Sequence, residues 1–247
     1  MEYRQLTKAY RDSQIERIAK SLSKIGQAEN PDGRVIPDQD DLVIGKGRRL
    51  RLSVLFLDIC GFSSWFSDTP EEQNKILSAF SIFFTEMVRV SEDYGGVVEK
   101  NTGDGLMVYF DGAGKTENTS VLAAGCALSM MSIAKSIINP VLAHQGIDTI
   151  DFRIGMDTGN VTLAKIGAPR RYNSVVAIGA TANISCKMLN KAGRNQIVIG
   201  DTLRSELPEY WQAEYTKILL EDSGWSYRGN GANYPFYEYR GRWKEPI

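Results

Sequence analysis

From about residue 51 the apolar positions alternate between strand and helix spacing. Leu52 to Leu57 (Leu-Ser-Val-Leu-Phe-Leu) is the run of a buried strand, ending at Asp58. Thr69-Pro70-Glu71-Glu72 then opens a helix. The threonine and the glutamate three residues on form a capping box, and proline suits the first helical position. Ile76, Leu77, Phe80, Phe83, Phe84, Met87 and Val88 keep one apolar face down to Tyr94-Gly95-Gly96, where the glycines stop it. Val97-Val98 and Leu106 to Phe110 predict two strands, joined by a hairpin turn across Asn101-Thr102-Gly103-Asp104-Gly105. A second long helix is expected over 119–138, halted by Asn139-Pro140. Strand 150–156, turn Asp157-Thr158-Gly159-Asn160 and strand 161–166 follow. A short strand near 174–178, a helix over 180–191 closed by Gly193, and a strand from Gln196 to Ile199 come next. The last forty residues carry Trp211, Trp225, Tyr227, Tyr234, Phe236, Tyr237 and Tyr239, an aromatic-rich hairpin. This order predicts an α+β fold, with helices on one face of a mostly antiparallel sheet and a C-terminal hairpin extension.

The first fifty residues differ. Ile15, Ile18, Leu22 and Ile25 make a short heptad-like stripe on a charged helix, and residues 26–41 have the Gly, Asn-Pro-Asp-Gly and Pro-Asp composition of a linker. The expected division is an N-terminal helix and linker over 1–48 and a folded body over 49–247. The helix could pack on that body, or serve dimerisation or signal input.

Charge and composition narrow the chemistry. Among 247 residues, 29 Lys+Arg against 30 Asp+Glu leave a net charge of −1, with no bulk attraction for nucleic acid or an anionic membrane. The start of the chain lacks the basic-then-apolar layout of a signal peptide, and the best uncharged apolar run, Val121 to Ala134, is shorter than a membrane span. A cytoplasmic protein is expected. Cys60, Cys126 and Cys186 are odd in number and far apart, against a disulfide framework or thiolate zinc site. The single histidine, His144, has no second imidazole for a zinc pair and is expected to be solvated. Any chemistry in this chain must run on carboxylates, cations and bound metal.

Asp58 leaves an apolar strand at its end, and Asp104 sits on a hairpin between Gly103 and Gly105. If the two strands are neighbours, both carboxylates reach one edge of the sheet. Two carboxylates with few other ligands suit Mg²⁺ or Mn²⁺, which take their remaining ligands from water and substrate phosphates. Taken singly, either aspartate would pass as a turn or capping residue.

Four segments, in order, resemble one family. Phe56-Leu57-Asp58-Ile59-Cys60-Gly61-Phe62-Ser63 is similar to the first metal-binding motif of the class III nucleotide cyclases, and Gly95-Gly96-Val97-Val98-Glu99-Lys100-Asn101-Thr102-Gly103-Asp104-Gly105-Leu106-Met107 to the second. Phe152-Arg153-Ile154-Gly155-Met156-Asp157-Thr158-Gly159 and Ile178-Gly179-Ala180-Thr181-Ala182-Asn183-Ile184-Ser185-Cys186-Lys187-Met188 match the two later motifs. The resemblance spans roughly residues 50–240, and its strength lies in the ordered set.

It implies a ferredoxin-like βαββαβ core and conversion of a nucleoside triphosphate to a 3′,5′-cyclic monophosphate and pyrophosphate. Asp58, Asp104 and the Ile59 carbonyl would hold two divalent ions, Mn²⁺ or Mg²⁺, per active site. Lys100 would read the base, Asn183 would orient the ribose, and residue 187 would stabilise the transition state. Phe62 and Arg228 would also contact substrate, Arg228 at the triphosphate. The family's sites lie at a homodimer interface, so the metal aspartates of one subunit face Lys100, Val176, Asn183 and Lys187 of the other.

Two positions depart from the adenylyl cyclase pattern. The second base-reading position falls on Val176, which has no hydrogen-bonding side chain, and the usual arginine is Lys187, which keeps the charge but loses the planar fork. Guanylyl cyclases commonly have an acid where Lys100 stands. A lysine can donate to a pyrimidine carbonyl, and an apolar wall suits a smaller base. The departures are similar to the bacterial pyrimidine cyclases of antiphage defence, which implies UTP, with CTP second, as substrate and a separate cyclic-nucleotide-responsive effector protein as partner. An adenylyl cyclase making cyclic AMP, and a catalytically inert cyclase-fold regulatory dimer, stay open as alternatives. A diguanylate cyclase is set aside, since its signature is absent.

Overall fold

The structure, a computed structural model, describes residues 36–37, 42–65, 68–101, 103–113, 118–167, 173–227 and 229–242. The expected N-terminal helix with Ile15, Ile18, Leu22 and Ile25 lies outside the described residues. The chain divides into two compact units. The larger takes in Leu50–Val161 and Gly179–Ile247; the smaller takes in Pro37–Arg49 and Thr162–Ile178.

The elements, in chain order, are β1 (Gly47–Ile59), α1 (Pro70–Asp93), β2 (Gly96–Asn101), β3 (Gly105–Phe110), α2 (Thr119–His144), β4 (Phe152–Gly167) and β5 (Asn173–Ile178). There follow α3 (Ala180–Lys191), β6 (Ile197–Gly200), α4 (Asp201–Ser205), α5 (Glu209–Tyr215), β7 (Thr216–Ile218) and β8 (Phe236–Tyr239). In the larger unit the strands run in the order β2-β3-β1-β4-β6-β8-β7. The β4–β6 pair is parallel; β1–β3, β2–β3, β6–β8 and β7–β8 are antiparallel. In the smaller unit, the end of β4 pairs with β5 from Thr162↔Ile178 to Gly167↔Asn173.

Alternation along the strands builds the main core. Leu55, Leu57 and Ile59 of β1, Leu106, Val108 and Phe110 of β3, and Ile154 and Met156 of β4 meet Phe83 and Met87 of α1 and the Leu122–Leu128 stretch of α2. Each fully buried side chain of this size contributes about 1.5–3 kcal/mol. The intervening positions, among them Phe56, Asp58, Met107, Tyr109 and Arg153, alternate onto the opposite side of the sheet. There α3 packs over Gly155, and its Ile184 and Met188 join Val198, Tyr234 and Phe236 in a second cluster. Leu52 and Val54 are buried as well, which is why the β1 run is apolar at successive positions.

The start of α1 is as expected: the Thr69 side chain accepts from the Glu72 amide, Glu72 caps the Thr69 amide in return, and Pro70 stands at the first position. Three expectations are corrected. The second long helix does not halt at Asn139-Pro140 but continues to His144, because a π-helical stretch over Ala134–Ile138 takes up the backbone groups that Pro140 cannot pair. Among the described residues this 26-residue helix is long and apolar enough to cross a membrane, which the sequence reading did not anticipate. Its Leu122, Cys126, Met130, Ile138 and Leu142 lie in the core. Second, Asp157 to Asn160 is not a turn. β4 runs through it unbroken, because Asp157 and Thr158 are buried and hydrogen-bonded inside the sheet layer. Third, Trp211 lies on α5 rather than in the final hairpin, which β7 and β8 form alone.

Candidate active site

Asp58 stands next to the end of β1, and its ladder partner on β3 is Gly105. One residue on, the Ile59 amide donates to the Asp104 carbonyl at 2.9 Å. The two aspartates are therefore neighbours along the backbone of the β1–β3 ladder, and the strand pairing on which their meeting depended is present.

Arg153 of β4 donates to Asp58 Oδ2 through Nε at 3.0 Å and Nη2 at 2.8 Å. Beyond it, the Cys60 amide donates to the Asp151 carbonyl at 2.8 Å. The Asp151 carboxylate accepts from Arg194 Nη1 at 2.8 Å and Asn195 Nδ2 at 2.6 Å. Burial works to raise the Asp151 pKa, and these bonds more than offset it, so the carboxyl is held below its usual range. The Cys60 thiol is pushed up by burial, against the lowering effect of Arg153 and Arg194, which leaves it protonated and unreactive.

Gly61, at φ 74°, turns the chain into a short helical turn over Phe62–Ser64. The ring of Phe62 packs on Phe80, with centroids 4.9 Å apart, and on Trp65 at 6.0 Å. Its side chain thus belongs to an aromatic cluster under the turn.

Asn183 and Lys187 lie one helical turn apart on α3, Asn183 exposed and Lys187 half-buried. Gly155 sets the position of that helix. A Cβ there would lie 2.0 Å from the Leu189 amide nitrogen, so only glycine lets the helix backbone settle on β4. The Lys187 ammonium reaches the loop that joins β7 to β8, 3.3 Å from where a Cβ on Gly224 would be. Lys100 stands opposite Met107 in the β2–β3 ladder. Val176 falls in the smaller unit, half-buried on β5 opposite Ala164. Arg228 lies outside the described residues. Asp58, Ile59, Asp104, Lys100, Asn183 and Lys187 all belong to the larger unit.

Sequence reasoning gave no role to Arg153, although it heads the third motif. A cation at alternate spacing to the buried Ile154 and Met156 is the signal that could have marked it. His144 ends α2 exposed to solvent, as expected.

The donor set fits hard divalent ions. Two carboxylates and a backbone carbonyl offer only oxygen, and the Arg153 guanidinium on Asp58 marks a position where positive charge is favoured. Among the described residues no three His, Cys, Asp or Glu side chains converge on a complete cage.

Residues 46–224 match the family model described as adenylate and guanylate cyclase catalytic domain. The chain is 30% identical to a uridylate cyclase of Burkholderia cepacia over 182 residues, covering 71% of this chain and 76% of that protein. It is 26% identical to a cytidylate cyclase of Escherichia coli over 166 residues, 62% of this chain but 34% of that longer protein. The fold superposes on the adenylyl cyclase CyaB from P. aeruginosa with a TM-score of 0.64 at 23% identity, covering 82% of this chain and 100% of that one. With the two aspartates paired at the β1–β3 edge and α3 seated on Gly155, this chain belongs to the class III adenylate and guanylate cyclase catalytic domain family.

Proposed function

We propose that the protein is a pyrimidine nucleotide cyclase, converting UTP, and secondarily CTP, to the 3′,5′-cyclic monophosphate and pyrophosphate. The observation that carries the substrate is Val176, an apolar residue on β5 at the position where adenylyl cyclases read the base with a hydrogen-bonding side chain. The similarity to a uridylate cyclase supports the same reading.

Asp58 and Asp104, with the Ile59 carbonyl, would hold two Mg²⁺ or Mn²⁺ ions. When bound, such ions neutralise triphosphate charge and lower the pKa of a coordinated hydroxyl. This chain's own residues do the rest. Arg153, released from Asp58, pairs with phosphate oxygens. Lys187 offsets the charge that grows as the ribose 3′-oxygen attacks the α-phosphorus. Asn183 holds the ribose by its amide, and Lys100 donates to a pyrimidine carbonyl. Phe62 and Arg228 complete the substrate contacts of this reading.

The active unit is a homodimer in the cytoplasm, each site drawing its aspartates from one subunit and Lys100, Val176, Asn183 and Lys187 from the other. The product acts as a second messenger in antiphage defence, read by a separate effector protein.

The test is incubation of the purified chain with Mn²⁺ and ATP, GTP, CTP or UTP separately, products identified by mass spectrometry. A cyclic pyrimidine monophosphate is expected. Val176→Asp should then shift the preference toward ATP by about tenfold, one hydrogen bond to a charged group. Cyclic AMP from the unaltered chain would discard the substrate reading while keeping the cyclase chemistry.

A further inference from the structure

The β2–β3 hairpin is not regular. Gly96↔Phe110, Val97↔Tyr109 and Val98↔Val108 pair in step, but the next pair is Lys100↔Met107, followed by Asn101↔Leu106. Glu99 is an extra residue, a β-bulge. Its consequence follows from strand alternation. In an unbulged ladder Glu99 would face Met107 and position 100 would face Leu106, whose side chain is buried in the core beneath α1 and α2. A lysine at that register would have to place a charge among apolar side chains. With the bulge, position 100 shares a row with Met107 and, one strand further, Phe56 of β1. Asp58 lies two residues from Phe56 on the same side of the sheet.

Tyr109 contacts the bulge directly. Tyr109, 1% exposed on the same side of β3 as Met107, donates its hydroxyl to Glu99 Oε2, and its oxygen also lies 3.7 Å from the Met107 sulfur. Tyr109 thus touches both the extra residue and the residue opposite Lys100. Burial, reinforced by the Glu99 charge, drives the tyrosine pKa well above its ordinary value, so the hydroxyl keeps its proton and remains a donor.

We propose that Glu99 and Tyr109 are positioning residues for base selection: by pinning the bulge, they set the ladder register that places Lys100 opposite Met107. The inference rests on the reading that Lys100 meets the nucleobase, and the experiment separates the two.

Tyr109→Phe removes only the hydroxyl, Glu99→Ala removes the acceptor, and Glu99→Gln retains an acceptor oxygen. Each is assayed as the full-length chain with all four nucleoside triphosphates in competition, alongside its melting temperature and a Lys100→Ala variant. Tyr109→Phe and Glu99→Ala should each lower kcat/KM for the preferred nucleotide about tenfold, the factor of one hydrogen bond to a charged group. They should also compress the ratio between preferred and next-best nucleotide by a similar factor, and Glu99→Gln should recover most of that ratio. A purely structural contact would shift the melting temperature and leave the ratio alone. If Lys100→Ala moves the ratio and neither Tyr109→Phe nor Glu99→Ala does, the positioning role is wrong and the base contact stands. If Lys100→Ala leaves the ratio unchanged, the base-reading assignment falls and this inference falls with it. Should Tyr109→Phe fail to fold, the comparison of Glu99→Ala with Glu99→Gln decides alone: equal ratios overturn the proposal.

Discussion

Asp157 is 1% exposed, yet it carries a carboxyl group in the middle of a sheet layer. Its Oδ1 accepts from the Leu203 amide at 3.1 Å and its Oδ2 from the Tyr234 hydroxyl at 2.8 Å, tying β4 to α4 and the last hairpin. Gly200 leaves the room, since a Cβ there would fall 2.5 Å from the carboxyl carbon. Burial raises the Asp157 pKa to about 7; the hydrogen bonds from Tyr234, Thr158 and Leu203 pull it down by less, and the neighbouring Asp201 charge adds a little to the rise. The unfolded chain titrates this group near the ordinary carboxylate value of about 4. A folded pKa above the unfolded one means that the contribution is fully present below about pH 4 and is lost as pH rises through about 7. Urea midpoints at pH 5 and pH 8 should therefore show the unaltered protein weaker at pH 8. Asp157→Asn, which keeps the shape and an acceptor for Leu203, should flatten that slope and be the more stable of the two at pH 8. An unchanged slope would assign the pH dependence to another group. Residue type alone placed Asp-Thr-Gly-Asn in a turn. The burial and the partners from α4 and Tyr234 are far away in sequence, and no local pattern encodes them.

At the scale of elements, local signals held where a residue acts directly on the backbone beside it, through a capping side chain or a freely adopted positive φ. The Thr69 capping box and the glycines after α1 are of this kind, and the helix starts and stops there. They failed where a break is repaired by neighbours, as at Pro140, which a π-helical stretch and the packed Ile138 and Leu142 carry through. α3 depends on a contact that no helix signal announces. Gly155→Ala should push the α3 backbone off β4, costing about 3 kcal/mol in urea unfolding, at the upper end for overpacking because a helix backbone atom rather than a pliant side chain is in the way. Since Asn183 and Lys187 ride on that helix, turnover should fall further than the loss of folded protein explains. Full activity per folded molecule would show that α3 adjusts without moving its polar face.

For the whole molecule, the division of labour across the sheet is the organising feature. One side is given to the apolar core with α1 and α2, while Asp58, Arg153 and the α3 residues lie on the other. A site shared between subunits has a direct test. Asp58→Ala and Asn183→Ala should each lose turnover by about a hundredfold or more, the scale for removing one transition-state contact. Mixing the two should restore up to a quarter of normal activity, since a statistical mixed dimer keeps one intact site. Mixed dimers that form, by pull-down of differently tagged chains, and stay inactive would overturn the shared site. The sequence by itself determined the alternation of strands and helices, the two aspartates at strand end and hairpin tip, and the ordered motifs, because periodicity, caps and turn residues act over a few positions. Tertiary structure alone decided that Arg153 sits on Asp58, that Asp157 is buried, that α3 needs Gly155, and that a bulge at Glu99 sets the place of Lys100. Each of these depends on which strands become neighbours and in what register, a choice made by packing residues distant along the chain.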